Sequence, residues 1–119
     1  MEERYFSQYV KQVVKEAGKA KKVVKKILEP EKETEVPDVE VARYRIAKLV
    51  EYVLPLNEEK RDKYLDLLAS LPFGSRFKLG KLFFLCKDNI KDYLDFLTEL
   101  EPKWRECMVE GLSHVAFSK

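Results

Sequence analysis

The chain has 119 residues, a formal net charge of +2 and 37% charged residues, against a usual share of about 25%. That length suits one domain with a single core, and 45% apolar content argues against a disordered chain. The charge excess is mostly Lys and Glu, while the side-chain amides are confined to Gln8, Gln12, Asn57 and Asn89. This balance is associated with hyperthermophiles, although Lys and Glu are also good helix formers.

No run approaches the roughly 18 apolar residues of a membrane span. The N-terminus is charged from Glu2 and lacks the apolar core of a signal peptide, so the expected location is the cytoplasm. Cys86 and Cys107 form no CxxC pair and fall in apolar helical runs, which predicts buried free thiols.

Helical periodicity dominates and proline punctuates it, so the expected fold is all-α. The first element is a long helix over residues 3–28, within an N-terminal segment 1–29. Its apolar residues Phe6, Val10, Val13, Ala17, Ala20, Val24 and Ile27 recur at steps of 4, 3, 4, 3, 4 and 3. That is a seven-residue repeat, the pattern of a helix-packing seam. Gly18 weakens this helix by about 1 kcal/mol relative to Ala, and Pro30 ends it. Residues 30–38 are polar and acidic, bounded by Pro30 and Pro37, and read as a linker.

The body, 39–119, reads as a compact bundle of about five short helices. Asp38 is positioned to cap the first, which stops before Pro55. Asn57 caps the second, whose opening Glu58 and Glu59 suit a positive helix N-terminus. The third, about 74–87, is expected to start at a Ser75 cap and to lie centrally. Gly80 would permit a close helix approach. Asp88 is expected to cap the fourth, and Pro102 to open the last, with Trp104 as a core anchor. Tyr64-Leu65-Asp66-Leu67-Leu68 aligns with Tyr93-Leu94-Asp95-Phe96-Leu97 at an offset of 29, which also pairs Leu71 with Leu100 and Arg76 with Arg105. Two stacked αα-hairpins would produce such a pattern.

The charge distribution is more informative than its sum. Opposite the apolar seam lie Lys11, Lys15, Lys19, Lys22 and Lys26, flanked by Lys21 and Lys25. On one straight helix these seven would occupy a single arc. A lysine stripe can neutralise several phosphates, each contact releasing counterions. It contains no Arg, the residue that reads guanine bidentately, so binding would be to the DNA or RNA backbone, without base readout. Such a stripe also suits a solvated helix face, a membrane surface or a partner's groove. The seam, in turn, could dock a second copy or another helical protein through Phe6, Val10, Val13, Val24 and Ile27, or pack on its own body.

Two further segments carry charge. Residues 73–87 interleave Arg76, Lys78, Lys81 and Lys87 with aromatics, a composition suited to single strands, but the cations share no face and a core helix is the expectation. Asp88, Asp92, Asp95 and Glu99 line one helix face that could complement the lysines.

Catalytic equipment is sparse: His114 is the lone histidine, adjacent Ser113 points about 100° away on a helix, and no phosphate-loop or dinucleotide motif occurs. No metal site and no cofactor are expected. At the level of class, a small helical chain with a basic face is similar to helical accessory subunits of nucleoprotein complexes, such as those of CRISPR effectors. The likeness is carried by size and charge, not by a motif. The resulting expectation is a non-enzymatic nucleic-acid-associated protein, with a protein-interaction or assembly module as the alternative.

Overall fold

In the computed structural model, residues 2–30 and 38–117 are described, with side chains from Gln8 onward. The linker segment 31–37 and the Phe6 side chain lie outside the described residues. Among the described residues there is no strand, and the helices run in the order α1 Glu2–Glu16, α2 Lys21–Leu28, α3 Val39–Val53, α4 Glu58–Ser70, α5 Phe73–Leu85, α6 Ile90–Glu99 and α7 Pro102–Phe117. None of these helices is long and apolar enough to cross a membrane.

The first departure from expectation is at Gly18. Instead of one helix over 3–28, α1 stops at Glu16 and a 3₁₀ turn, Gly18–Ala20, leads into α2. Gly18 sits at φ +57°, the left-handed region that glycine enters without a Cβ penalty. Tight bonds from Ala17 N to Val14 O (3.2 Å) and from Ala20 N to Ala17 O (3.1 Å) close the turn. α1 and α2 then pack against each other. The seven-residue repeat runs through the bend because Ala17 and Ala20, on its two sides, both still face the core.

The seam is buried within its own chain. Val10, Val13, Ala17, Ala20, Val24, Ile27 and Leu28 belong to the same core as Ile46, Leu49, Tyr64, Leu68, Phe73 and Leu79. α1 lies along α3, and α2 lies on α4 with contacts to α3 and α5. Val10, Val13, Val24 and Ile27, the residues expected to dock a partner, are almost wholly removed from solvent, with α1 along α3 and α2 on α4.

The capping expectations hold at two helices. Asp38 Oδ1 accepts from Val41 N at 3.2 Å, and Asn57 Oδ1 accepts from Lys60 N at 3.0 Å. α5 begins instead after Pro72, with Ser75 buried rather than capping. A 3₁₀ turn, Lys87–Asn89, precedes α6, where Asp88 makes no cap. Gly80 does serve a close approach: a Cβ there would stand 3.1 Å from the carbonyl carbon and oxygen of Arg45 on α3.

The 29-residue offset reappears in backbone geometry. α4 and α6 end alike, with Leu71 N bonding Leu68 O (3.3 Å) and Leu100 N bonding Leu97 O (3.2 Å). Arg76 Nε donates to Leu68 O at 2.9 Å, and Arg105 Nε donates to Leu97 O at 3.0 Å. α4 packs along α6 and α5 along α7, whereas α4 and α5 touch each other little. The α4–α5 and α6–α7 junctions are each pinned by an arginine that bonds a carbonyl at the end of the preceding helix.

Three single-residue expectations change. Cys86 is half-buried at the end of α5 and Cys107 is exposed, although both are free thiols. Trp104 is 53% exposed rather than a core anchor. Its position in the first turn of α7 places the ring at the edge of the bundle, beneath Lys103 at 5.5 Å.

Candidate nucleic-acid interface

The bend at Gly18 redistributes the lysines. On a straight helix Lys11 and Lys15 would lie far along the axis from Lys21 and Lys25. With α1 and α2 packed together, all four line one groove of about 350 Å³, joined by Arg43 from α3 and Glu29. Val10, Val14 and Leu28 contribute its apolar lining. All four lysines are exposed, and among the described residues none makes an ion pair.

Arg43 differs from them. Its Nε donates to Leu28 O at 3.1 Å, satisfying a carbonyl at the end of α2. Its Nη1 pairs with Glu40 at 3.2 Å. Arg43 therefore fixes one wall of the groove and is partly neutralised, while the lysines carry the free charge. Long lysine stems can lie over the apolar lining with their ammonium groups in water.

The remaining lysines of the expected stripe go elsewhere. Lys19, in the turn, lines a separate depression on α4 beside Glu58, Asp62 and Asp66. Lys22 and Lys26 are exposed on α2 and do not line the groove. Of the five stripe residues, then, Lys11 and Lys15 join the groove, and Lys21 and Lys25, which the straight-helix reading made flanking residues, complete it.

The acidic face of α6 does not meet the lysines. Asp95 accepts a very short hydrogen bond from Tyr64 Oη and faces Lys60 Nζ at 3.4 Å, both on α4. The Tyr64 bond, then Lys60, hold the Asp95 carboxyl below its ordinary range. Burial, reinforced by the bond to Asp95, pushes the Tyr64 phenol well above its ordinary value. Tyr9 is shifted the same way, by burial and then by its 2.6 Å bond to Glu51.

Arg76 is the functional-looking cation that proves to be internal. It is 2% exposed and donates from Nη1 to Ile27 O (2.9 Å) and Lys26 O (3.3 Å), besides its bond to Leu68. One guanidinium thus closes the ends of α2 and α4. The sequence signal for this role is its 29-residue pairing with Arg105, since both arginines bond a helix-end carbonyl. Ser113 is buried and His114 exposed. Among the described residues no group of three or more His, Cys, Asp or Glu is placed to hold a metal ion.

Comparison with protein-family models, with curated proteins and with solved structures finds no match to this chain.

Proposed function

We propose that this protein is a non-enzymatic nucleic-acid-associated protein that grips the phosphate backbone of DNA or RNA through the groove between α1 and α2. The observation that carries this reading is the convergence of Lys11, Lys15, Lys21 and Lys25 around one groove with no ion partner among the described residues. Four like charges held on two packed helices repel one another, and an anion in the groove relieves that repulsion. A polyphosphate backbone offers several at once, and releases its own counterions on binding. Lysine ammonium groups act as point charges, so the groove favours phosphate without choosing a sequence. A role as an accessory subunit of a nucleoprotein assembly fits such binding. The assembly alternative through the seam has no support in a seam buried against α3 and α4.

The test is titration of generic DNA and RNA across a salt series. Engagement of four phosphates predicts a slope of roughly −4 for log affinity against log salt on duplex DNA, and about −3 on single strands. No binding at low salt, or affinity indifferent to salt, would refute the reading.

A further inference from the structure

A second surface, away from the lysine groove, alternates aromatic rings with cations from α1 across α3 and α5 to α7. It begins with Tyr9 and Tyr44, their ring centroids 5.1 Å apart, and Lys48 Nζ 4.8 Å from the Tyr9 ring. Beyond them a depression of about 430 Å³ is lined by Tyr44, Lys48, Phe84 and Lys87, among others. Lys87 Nζ stands 6.0 Å from the centre of the Phe84 ring. Arg45 bridges onward, its guanidinium carbon 5.9 Å from both the Phe84 and the Phe77 ring. Lys81 then lies 5.5 Å from Phe77 and 4.5 Å from Phe117, beside a hollow of about 770 Å³ between α5 and α7. Successive contacts share a residue from Phe117 through Phe84 to Lys87, and the depression carries the track on to Tyr44 and Tyr9.

Two features mark this track as more than a solvated edge. Phe84 is 42% and Phe117 39% exposed, large rings left at the surface where a folded core gains nothing from them. Arg45, Lys81 and Lys87 make no ion pair among the described residues. A purely apolar patch would suit a protein face, and a purely basic one any polyanion. Rings alternating with cations, of which Lys48 alone is paired among the described residues (with Glu51, 3.9 Å), match a strand whose bases are free to stack while its phosphates pass between them. A duplex hides its base faces and offers only phosphates.

We propose that this α3–α5–α7 surface binds single-stranded nucleic acid by stacking bases on Phe84 and Phe117, with Arg45, Lys81 and Lys87 on the intervening phosphates. The site shares no residue with the lysine groove, so each can hold or fall without the other.

The experiment is fluorescence anisotropy with the full chain, a short labelled homopyrimidine strand, and a duplex of equal length. The single strand is expected to bind about tenfold tighter than the duplex. Phe84→Ala and Phe117→Ala each weaken strand binding by roughly five- to a hundredfold, the range of one lost base stack, and leave duplex binding unchanged. Phe84→Trp keeps strand affinity, and its indole fluorescence is quenched by the strand more than that of wild-type Trp104. Lys11→Glu/Lys15→Glu/Lys21→Glu/Lys25→Glu weakens duplex binding while Phe84→Ala still lowers strand affinity in that background. Equal affinity for strand and duplex, or alanine variants that bind the strand as wild type does, overturns the proposal. A change of oligomeric state in Phe84→Ala without a change in strand affinity overturns it too, and assigns the rings to a protein contact.

Discussion

The guanidinium of Arg76 lies 2.9 Å from the carbonyl oxygen of Ile27, so α5 holds the end of α2 across 49 residues of sequence. The same side chain bonds Leu68 at the end of α4. Helix C-termini present a concentrated negative dipole and unpaired carbonyls, which favour a cation there. Removing it strands those carbonyls out of water. Arg76→Met is expected to destabilise the fold by about 3 kcal/mol or more in urea unfolding. Arg105→Met, at the matching elbow where Arg105 and Thr98 are only half-buried, costs about 1 kcal/mol, since water can take over the bond to Thr98. Equal effects would mean that the two elbows differ less in burial than described.

Gly18 gives a prediction in which sign decides. In a straight helix Gly18→Ala stabilises by about 1 kcal/mol. At φ +57° it destabilises by about 1–2 kcal/mol. No atom lies within 4 Å of the added Cβ, so the cost is conformational and not steric crowding by neighbours. Denaturant midpoints of the two proteins separate the cases.

Val24 tests where the seam is used. It is fully buried, so Val24→Asp should destabilise by roughly 3 kcal/mol or more and should act on folding itself. Light scattering combined with a thermal melt would read this as unfolding. A variant that stayed folded and only changed its oligomeric state would place the seam between chains.

Asp95 sets an acid dependence. Its folded value lies below the ordinary 3.8, so its contribution is present above that value and is lost as pH falls below it. Asp95→Asn should therefore lower stability at neutral pH and flatten its decline in acid. At the alkaline end Tyr9 and Tyr64 act with opposite sign. Their folded values are raised, so their contribution is intact below about pH 10 and declines as the unfolded chain ionises first. Urea midpoints between pH 3 and 7, and again above pH 9, would show both limbs.

Much of the fold was legible because its signals are local. Asp38 and Asn57 cap as their side-chain chemistry requires, prolines mark helix ends, and Gly80 meets the Arg45 backbone. The bend was not legible, because Ala17 and Ala20 preserve the apolar spacing through a turn whose only mark is one glycine. The bend redistributes the lysines around the candidate groove. Lys21 and Lys25 change from flanking residues to groove residues, while Lys19, Lys22 and Lys26 leave it. Arg76 lies on the expected core helix, but its role in closing the ends of α2 and α4 was not legible, because the carbonyls it meets are 8, 49 and 50 residues away in sequence.

The arrangement of lysines around the bend is therefore the claim most open to direct test. Two charge-matched variants suffice, measured on the same duplex and single strand at low salt. One reverses Lys11, Lys15 and Lys21 to Glu in the groove, and the other reverses Lys19, Lys22 and Lys26 outside it. The folded groove predicts that the first set lowers duplex affinity at least tenfold more than the second and reduces the salt slope by about 3. Equal losses from both sets would mean that charge alone, and not the groove made at Gly18, holds the phosphate backbone.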